Sequence, residues 1–458
     1  MAPMQRREFL AAAGLTALAC STAPAPDRNA LAIQVTGIEI FPLKVNARGN
    51  WVIVRVLTDA GLTGLGDASH SGPDDPAIGK LQEYGALMTG RSIYDIEWLR
   101  QQTFPEYASF GRAASCAVSA IDQALHDIQA QAAGVPLWAL FGGKLRDQVR
   151  NYANINRSVD ARTPEGFAEL AQSAVDAGFD AIKMASYDGM PLQGTAAEIA
   201  VHTQLGTDCI KAVREVIGPD RDLLVDAHSN FDLKRGLQLL EALEPLNLYW
   251  LEEVSRPYDI LAEIGKAAPM PTAGGESLFG VSEFLEYVKY DPVDIAMPDI
   301  KYCGGMLELK KIAALCEAAG MEIAPHGPAS PVGNMAAAQV SVTLPNFAIL
   351  EYSHGDAPWR HELLDPPEPQ REHAQNHPGQ CRAADFRIGV RRTRRVVGFR
   401  IQPVTDAGGD AAATPLALVG AGLADRLDVQ PVELLSRTVA LDPGESGVDY
   451  VVDPRHGQ

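Results

Sequence analysis

Cysteine is sparse and unpatterned in this 458-residue chain. Its six cysteines, Cys20, Cys116, Cys209, Cys303, Cys316 and Cys381, form no CxxC pair and no dense framework. That argues against a disulfide scaffold or a zinc site and leaves a few small buried thiols. Long apolar runs are missing as well. Beyond the N-terminus no window approaches roughly 18 uninterrupted apolar residues, so no internal membrane span is expected. Positive charge is in deficit: 39 Lys and Arg stand against 58 Asp and Glu, a formal net charge of −19. Nonspecific nucleic-acid binding is therefore disfavoured, although a locally positive site could still attract an acidic small molecule. Lysine stops altogether at Lys311. What remains is 46% hydrophobic and 21% charged, ordinary for a soluble protein and enough for two sizeable cores.

The N-terminus departs from this background. Gln5-Arg6-Arg7-Glu8-Phe9-Leu10 precedes an Ala-rich apolar run, which resembles a twin-arginine export signal. Export to the periplasm is the expected localisation, and Ala17-Leu18-Ala19-Cys20 offers a possible lipid anchor at Cys20. Residues 1–30 are read as this signal and a linker. Residues 35–40, 51–57 and 62–65 are strand-like, with a turn at Thr58-Asp59-Ala60-Gly61. Ala114, Ala117, Val118, Ile121, Leu125, Ile128 and Ala132 mark one helix face, ended by Gly134 and Pro136. Residues 31–150 thus form an α+β unit. From Asn151 short apolar strands alternate with amphipathic stretches, the strands ending near Asn154, Lys183, Asp226, Glu252, Gly275, Met297, Pro325 and Glu351. Eight such units over residues 151–365 predict an α/β fold, a (β/α)8-type TIM barrel. Residues 366–458 open on Pro366-Pro367-Glu368-Pro369 and lack clear periodicity. They are read as an extension of unassigned structure.

In a β/α barrel the chemistry sits where strands end. Three apolar runs stop at carboxylates, Asp226, Glu252 and Glu276, spaced by 26 and 24 residues, about one β/α unit each. On neighbouring strands these acids converge, and their repulsion calls for a hard divalent cation, most simply Mg²⁺. Asp299 and His326 follow the next two apolar runs. A carboxylate orienting an imidazole makes a general base. His228, two residues past Asp226, would bring a second imidazole near the metal. Lys183 could support the charge of a substrate carboxylate. Glu351 could hydrogen-bond a developing enolate if protonated.

These motifs resemble the enolase superfamily, in its mandelate racemase and muconate lactonizing enzyme branch. The resemblance covers about residues 35–365. Val52-Ile53-Val54-Arg55-Val56-Leu57-Thr58-Asp59-Ala60-Gly61, Ala120-Ile121-Asp122 and Leu140-Phe141-Gly142-Gly143 resemble the capping domain. Val225-Asp226, Leu251-Glu252-Glu253 and Gly275-Glu276 resemble the metal motifs, in which the first glutamate of the pair is the ligand. Asp226-Ala227-His228 and Pro325-His326, with Ala185 where racemases carry a second lysine, are most similar to galactonate-dehydratase-like proteins. Val254 departs from the usual proline and Asp67 from the usual glutamate. The resemblance implies a modified TIM barrel under an N-terminal capping domain, one Mg²⁺ per site, a small carboxylate substrate and a homo-oligomer. It implies dehydration of an acid sugar, aldonate or aldarate, to a 2-keto-3-deoxy acid. His326 with Asp299 would abstract the α-proton, His228 would protonate the departing hydroxyl, and Lys183 and Glu351 would stabilise the enolate. A racemase or epimerase, or a non-catalytic exported binder of sugar acids, are the competing readings. The capping loops at residues 41–50 and 68–72 would set specificity, with His70, Arg48, Asn156 and Tyr187 as candidate contacts.

Overall fold

A computed structural model describes residues 33–70, 72–360, 363, 380–382 and 399–400. The signal-like segment with Cys20, and most of the extension from residue 366, lie outside the described residues. The described residues open on three antiparallel strands: β1 (Val35–Asn46), β2 (Gly49–Thr58) and β3 (Thr63–Asp67). The helices α1 (Asp74–Met88), α2 (Ile96–Thr103) and α3 (Arg112–Ala133) follow. The sheet packs on α3 at backbone distance. A Cβ on Gly64 or Gly66 would stand 2.0 or 1.8 Å from the carbonyl oxygens of Ala124 and Ala120. Only glycine permits that approach.

The predicted apolar stripe on α3 is there, but the helix is buried almost all round. Ser119, Asp122, Gln123, His126 and Asp127 are also inside. Their partners explain why. The Gln123 side chain accepts from Asp67 N (3.0 Å) and donates to Ile300 O (3.3 Å), so α3 lies between the first sheet and the second domain. Gly134, at φ 67°, ends the helix in the left-handed cap conformation.

Eight parallel strands make the second domain: β4 (Gln148–Asn154), β5 (Ala181–Met184), β6 (Asp222–Asp226), β7 (Trp250–Glu252), β8 (Thr272–Gly274), β9 (Ile295–Ala296), β10 (Glu322–Ile323) and β11 (Leu350–Ser353). Helices α4 (Pro164–Asp176), α5 (Ala196–Ile217), α6 (Leu233–Leu243), α7 (Tyr258–Ala267), α8 (Gly280–Lys289), α9 (Met306–Ala318) and α10 (Pro331–Ser341) alternate with them. Pairing runs β11-β4-β5-β6-β7-β8-β9-β10. A single bridge, Ile323 to Phe347, joins β10 to the segment entering β11. This is the predicted TIM barrel, modified and capped. Two short strands from the extension return to it: β12 (Gln380–Arg382) pairs with β4 and β13 (Phe399–Arg400) with β1. Among the described residues no helix is long and apolar enough to cross a membrane. Cys116, Cys209, Cys303 and Cys316 are free and buried.

Candidate active site

Strand alternation places the site. Tyr152, Ala181, Leu224, Trp250, Ala273, Met297, Ala324 and Ile349 form a cluster inside the ring, while Ile182, Leu223, Val225, Leu251 and Leu350 pack outward against the helices. Side chains repeat every two residues along a strand. The residue two positions beyond each interior residue therefore also points inward, one layer higher, at the mouth. Those residues are Asn154, Lys183, Asp226, Glu252, Asp299, His326 and Glu351. Glu276 is three beyond Ala273. Gly275, at φ 97°, breaks the alternation and turns Glu276 back towards the axis.

Asp226, Glu252 and Glu276 converge, each offering one oxygen, with all three atoms within 4.8 Å of one another. Burial, followed by the charge of Asp226, pushes Glu252 well above the ordinary carboxylate range. Glu276 Oε2 is buried with no hydrogen-bond partner, although His326 Nε2 lies 3.1 Å away. An all-oxygen donor set with an orphaned buried oxygen fits a hard divalent cation. Glu253 is turned elsewhere. Its carboxylate accepts from Gly275 N (2.7 Å) and Ser229 Oγ (3.1 Å), and burial pushes it up to about 7. Lys183 Nζ sits among the acids, 2.5 Å from Glu252 Oε1, 3.5 Å from Asp226 Oδ2 and 3.8 Å from Glu351 Oε2. Burial opposes its charge, but these carboxylates hold it well above the usual lysine value.

Two imidazoles reach this centre from different strands. His326 Nδ1 is 2.7 Å from Asp299 Oδ2, so Nε2 is the nitrogen left facing the cleft. His228 Nε2 is 3.0 Å from Asp226 Oδ2, and its Nδ1 contacts Asp188. The Asp226 charge, with Asp188 and against burial, pushes His228 up to about 12. The strand ends at Asp226. His228 and Ser229 adopt φ 45° and 57°, and a left-handed turn swings the imidazole back over the acid.

Sequence profiles match in two stretches. Residues 40–142 match the mandelate racemase / muconate lactonizing enzyme N-terminal domain, and residues 166–379 the enolase C-terminal domain-like family. The chain is 31% identical to a D-xylonate dehydratase of Haloferax volcanii, over 69% of this chain and 78% of that one. The chain belongs to the enolase superfamily. It is 31% identical to a D-galactonate dehydratase family member of Streptomyces bingchenggensis, over 69% of this chain and 82% of that one. The crystal structure of a mandelate racemase/muconate lactonizing enzyme-like protein from Rubrobacter xylanophilus superposes with a TM-score of 0.68 at 30% identity, covering 77% of this chain and 93% of that chain. This superfamily member is an enzyme of the hydro-lyase kind.

Within it, several expected roles change. Glu351 is not placed as a neutral donor. It accepts from Tyr152 Oη (3.0 Å), Asn154 Nδ2 and Gly327 N (2.8 Å). Burial raises its pKa, but Lys183 and His326 outweigh that and hold the carboxylate below its ordinary range. Tyr187 is a packing residue rather than a substrate contact, buried edge-on to Phe231 with its hydroxyl 3.3 Å from Thr207. Arg48 and Asn156 do line the cleft, and both bond Asp188 Oδ2, at 2.8 and 3.2 Å. His70 is buried on its capping loop, with Nδ1 accepting from Gly72 N (2.7 Å). Sequence reasoning missed Lys301, whose Nζ lies 2.9 and 2.7 Å from the two Asp299 oxygens. Its signal was present, two residues beyond Asp299 in the same phase. Asp188, Arg112 and Arg157 were also missed, and they sit on loops or a helix start where no period marks them.

Proposed function

We propose that the protein is a divalent-cation-dependent dehydratase of acid sugars, converting a polyhydroxylated carboxylate into a 2-keto-3-deoxy acid. The observation that carries this reading is the pair of imidazoles at one carboxylate centre, one hydrogen-bonded to Asp299 and one set between Asp226 and Asp188. Dehydration needs both: a base for the α-proton and an acid for the β-hydroxyl. The names of the similar proteins, a D-xylonate dehydratase and a D-galactonate dehydratase family member, point the same way.

Asp226, Glu252 and Glu276 would hold the cation, most simply Mg²⁺, which supplies charge stabilisation for the carboxylate of the substrate. Lys183 adds a fixed positive charge beside it. His326 Nε2 takes the proton from the α-carbon, and Asp299 holds the ring and offsets the imidazolium that results. The electron pair left on the α-carbon becomes the new double bond as the β-carbon–oxygen bond breaks. His228 gives its proton to the departing hydroxyl, which leaves as water. The enol then tautomerises to the ketone. Ala185, just past the strand that carries Lys183, places no second base on the opposite face of the α-carbon, and this disfavours racemisation.

The test is a screen of aldonic and aldaric acids with and without Mg²⁺, read as keto acid by semicarbazide absorbance. Keto acid should form only with the cation and be lost in Glu276→Gln. Scrambling of the α-centre without keto acid would overturn the proposal. Export is a separate proposal resting on Arg6-Arg7 and the run after them. Arg6→Lys/Arg7→Lys should keep the protein in the cytoplasmic fraction, and unchanged periplasmic recovery would refute it.

A further inference from the structure

Four cations around the cleft are matched by carboxylates. Lys183 faces Glu252, Lys301 faces Asp299, and Arg48 and Arg162 both pair with Asp188, at 2.8 and 3.1 Å. Arg112 and Arg157 are not matched. Both line the same cleft of about 510 Å³, part of it open to solvent, as Lys183, Asp226, His228 and His326. Among the described residues neither forms an ion pair. The Arg112 guanidinium lies over the Tyr302 ring at 4.6 Å and gives one hydrogen bond, from Nη2 to Ser277 Oγ (2.7 Å). Arg157 gives one, from Nη2 to the carbonyl of Arg48 (2.8 Å). A guanidinium carries five N–H donors, so most of each fork remains available. Burial lowers the pKa of Arg157 although Tyr302, Asp356 and Glu351 act against it, whereas for Arg112 burial is outweighed by Tyr302, Glu276 and Asp299 and the pKa is raised.

The fold makes room for this arrangement. Gly49, in the hairpin between β1 and β2, would place a Cβ 2.5 Å from Arg157 Nη2. Its lack of a side chain admits the guanidinium. Arg112 opens α3 in the capping domain, whereas Arg157 follows β4 in the barrel. The two cations therefore approach the cleft from different domains. Two unpaired guanidiniums facing one cavity are the usual provision for a carboxylate or phosphate.

We propose that Arg112 and Arg157 bind a second carboxylate of the substrate, so that the enzyme acts on aldaric diacids in preference to aldonic monoacids. The inference rests on the acid-sugar reading and narrows it. One carboxylate of the diacid sits at the three-acid centre beside Lys183. The other, at the far end of the carbon chain, is held by the two arginines. The alternative role for these arginines is structural, tying the cap to the barrel through Ser277 and Arg48, and it predicts no discrimination between acids.

The full-length Mg²⁺-loaded enzyme is assayed on galactarate and glucarate against galactonate and gluconate. The diacids should have kcat/KM higher by on the order of tenfold or more, from one charge-assisted pair. Arg112→Met and Arg157→Met should raise KM for the diacids by a similar factor with little change for the monoacids. Arg157→Lys should recover part of the loss. Equal or better kcat/KM on the monoacids, or equal losses on both classes, would overturn the inference. If no acid yields keto acid, the acid-sugar reading itself fails. The arginine site is then judged by calorimetric binding of galactarate and galactonate. Tighter diacid binding that is lost in Arg157→Met sustains it, and indifference refutes it. Melting curves of each variant check that the fold is retained.

Discussion

Asp299 Oδ2 is shared. His326 Nδ1 and Lys301 Nζ both lie 2.7 Å from it, and Lys301 also reaches Oδ1. The lysine keeps the buried carboxylate ionised, with its pKa lowered against the effect of burial, and it places a positive charge beside the imidazole. Removing that charge makes His326 easier to protonate. Lys301→Met should therefore move the acidic limb of the kcat–pH profile to higher pH. The two histidines should separate cleanly. His326→Asn should abolish exchange of the α-proton in deuterium oxide. His228→Gln should retain exchange and lose keto-acid formation, each by on the order of 10²-fold or more. Loss of both activities in both variants would mean that the roles are not divided as assigned. At this scale the sequence was readable wherever an apolar run ended on a polar residue, because strand period alone fixes which side chains face the axis. Asp188 was not readable, since a loop residue has no phase to betray it. The lowered pKa of Glu351 was not readable either, since against burial it is set chiefly by the Lys183 and His326 charges, brought to it from other strands.

Among the elements, α3 shows what periodicity does and does not reveal. Its apolar residues announced a helix and one buried face. The burial of the opposite, polar face depends on partners far along the chain, such as Ile300 and Met306, whose amide donates to Asp122. Asp127 lies within this helix, accepts from Leu65 N at 3.3 Å, and is pushed by burial to about 7. A carboxylate with a raised folded-state pKa contributes stability that is full below the unfolded value, near 4. That stability is lost as pH rises through about 7. Asp127→Asn keeps the acceptor and removes the charge. It should melt higher than the parent at pH 8, with the gap closing towards pH 5. Thermal melts across that range decide it, and a pH-independent difference would reject the assignment. Gly66→Ala should be costly at every pH, because its methyl would meet a backbone carbonyl that cannot swing aside.

At the level of the whole molecule, Asp67 is a joint between the domains. It ends β3 in the cap, and its carboxylate accepts from Ser330 N (2.9 Å) and Ser330 Oγ (2.7 Å). Ser330 in turn caps α10, four residues beyond His326. Asp67→Ala should speed amide exchange at Ser330 and Gly333 and lower the melting temperature by several degrees. Unchanged exchange at α10 would show that the joint carries no strain between the domains. The ring itself closes late in the chain. β4 to β10 each pair with their sequence neighbour, but β11 must find β4, and Tyr152 meets Glu351 across 199 residues. Pairings between distant parts of a chain are slow to form, because loop closure is needed before they reward it. Asp226, Glu252 and Glu276 come from neighbouring strands and the loop after β8, whereas Glu351 reaches the mouth only when the ring closes. Lys183 stands on β5, which pairs with the strand that β11 joins. Its ammonium faces Glu252, Asp226 and Glu351 at once, so a single charge ties the closing strand to the acids of the earlier ones.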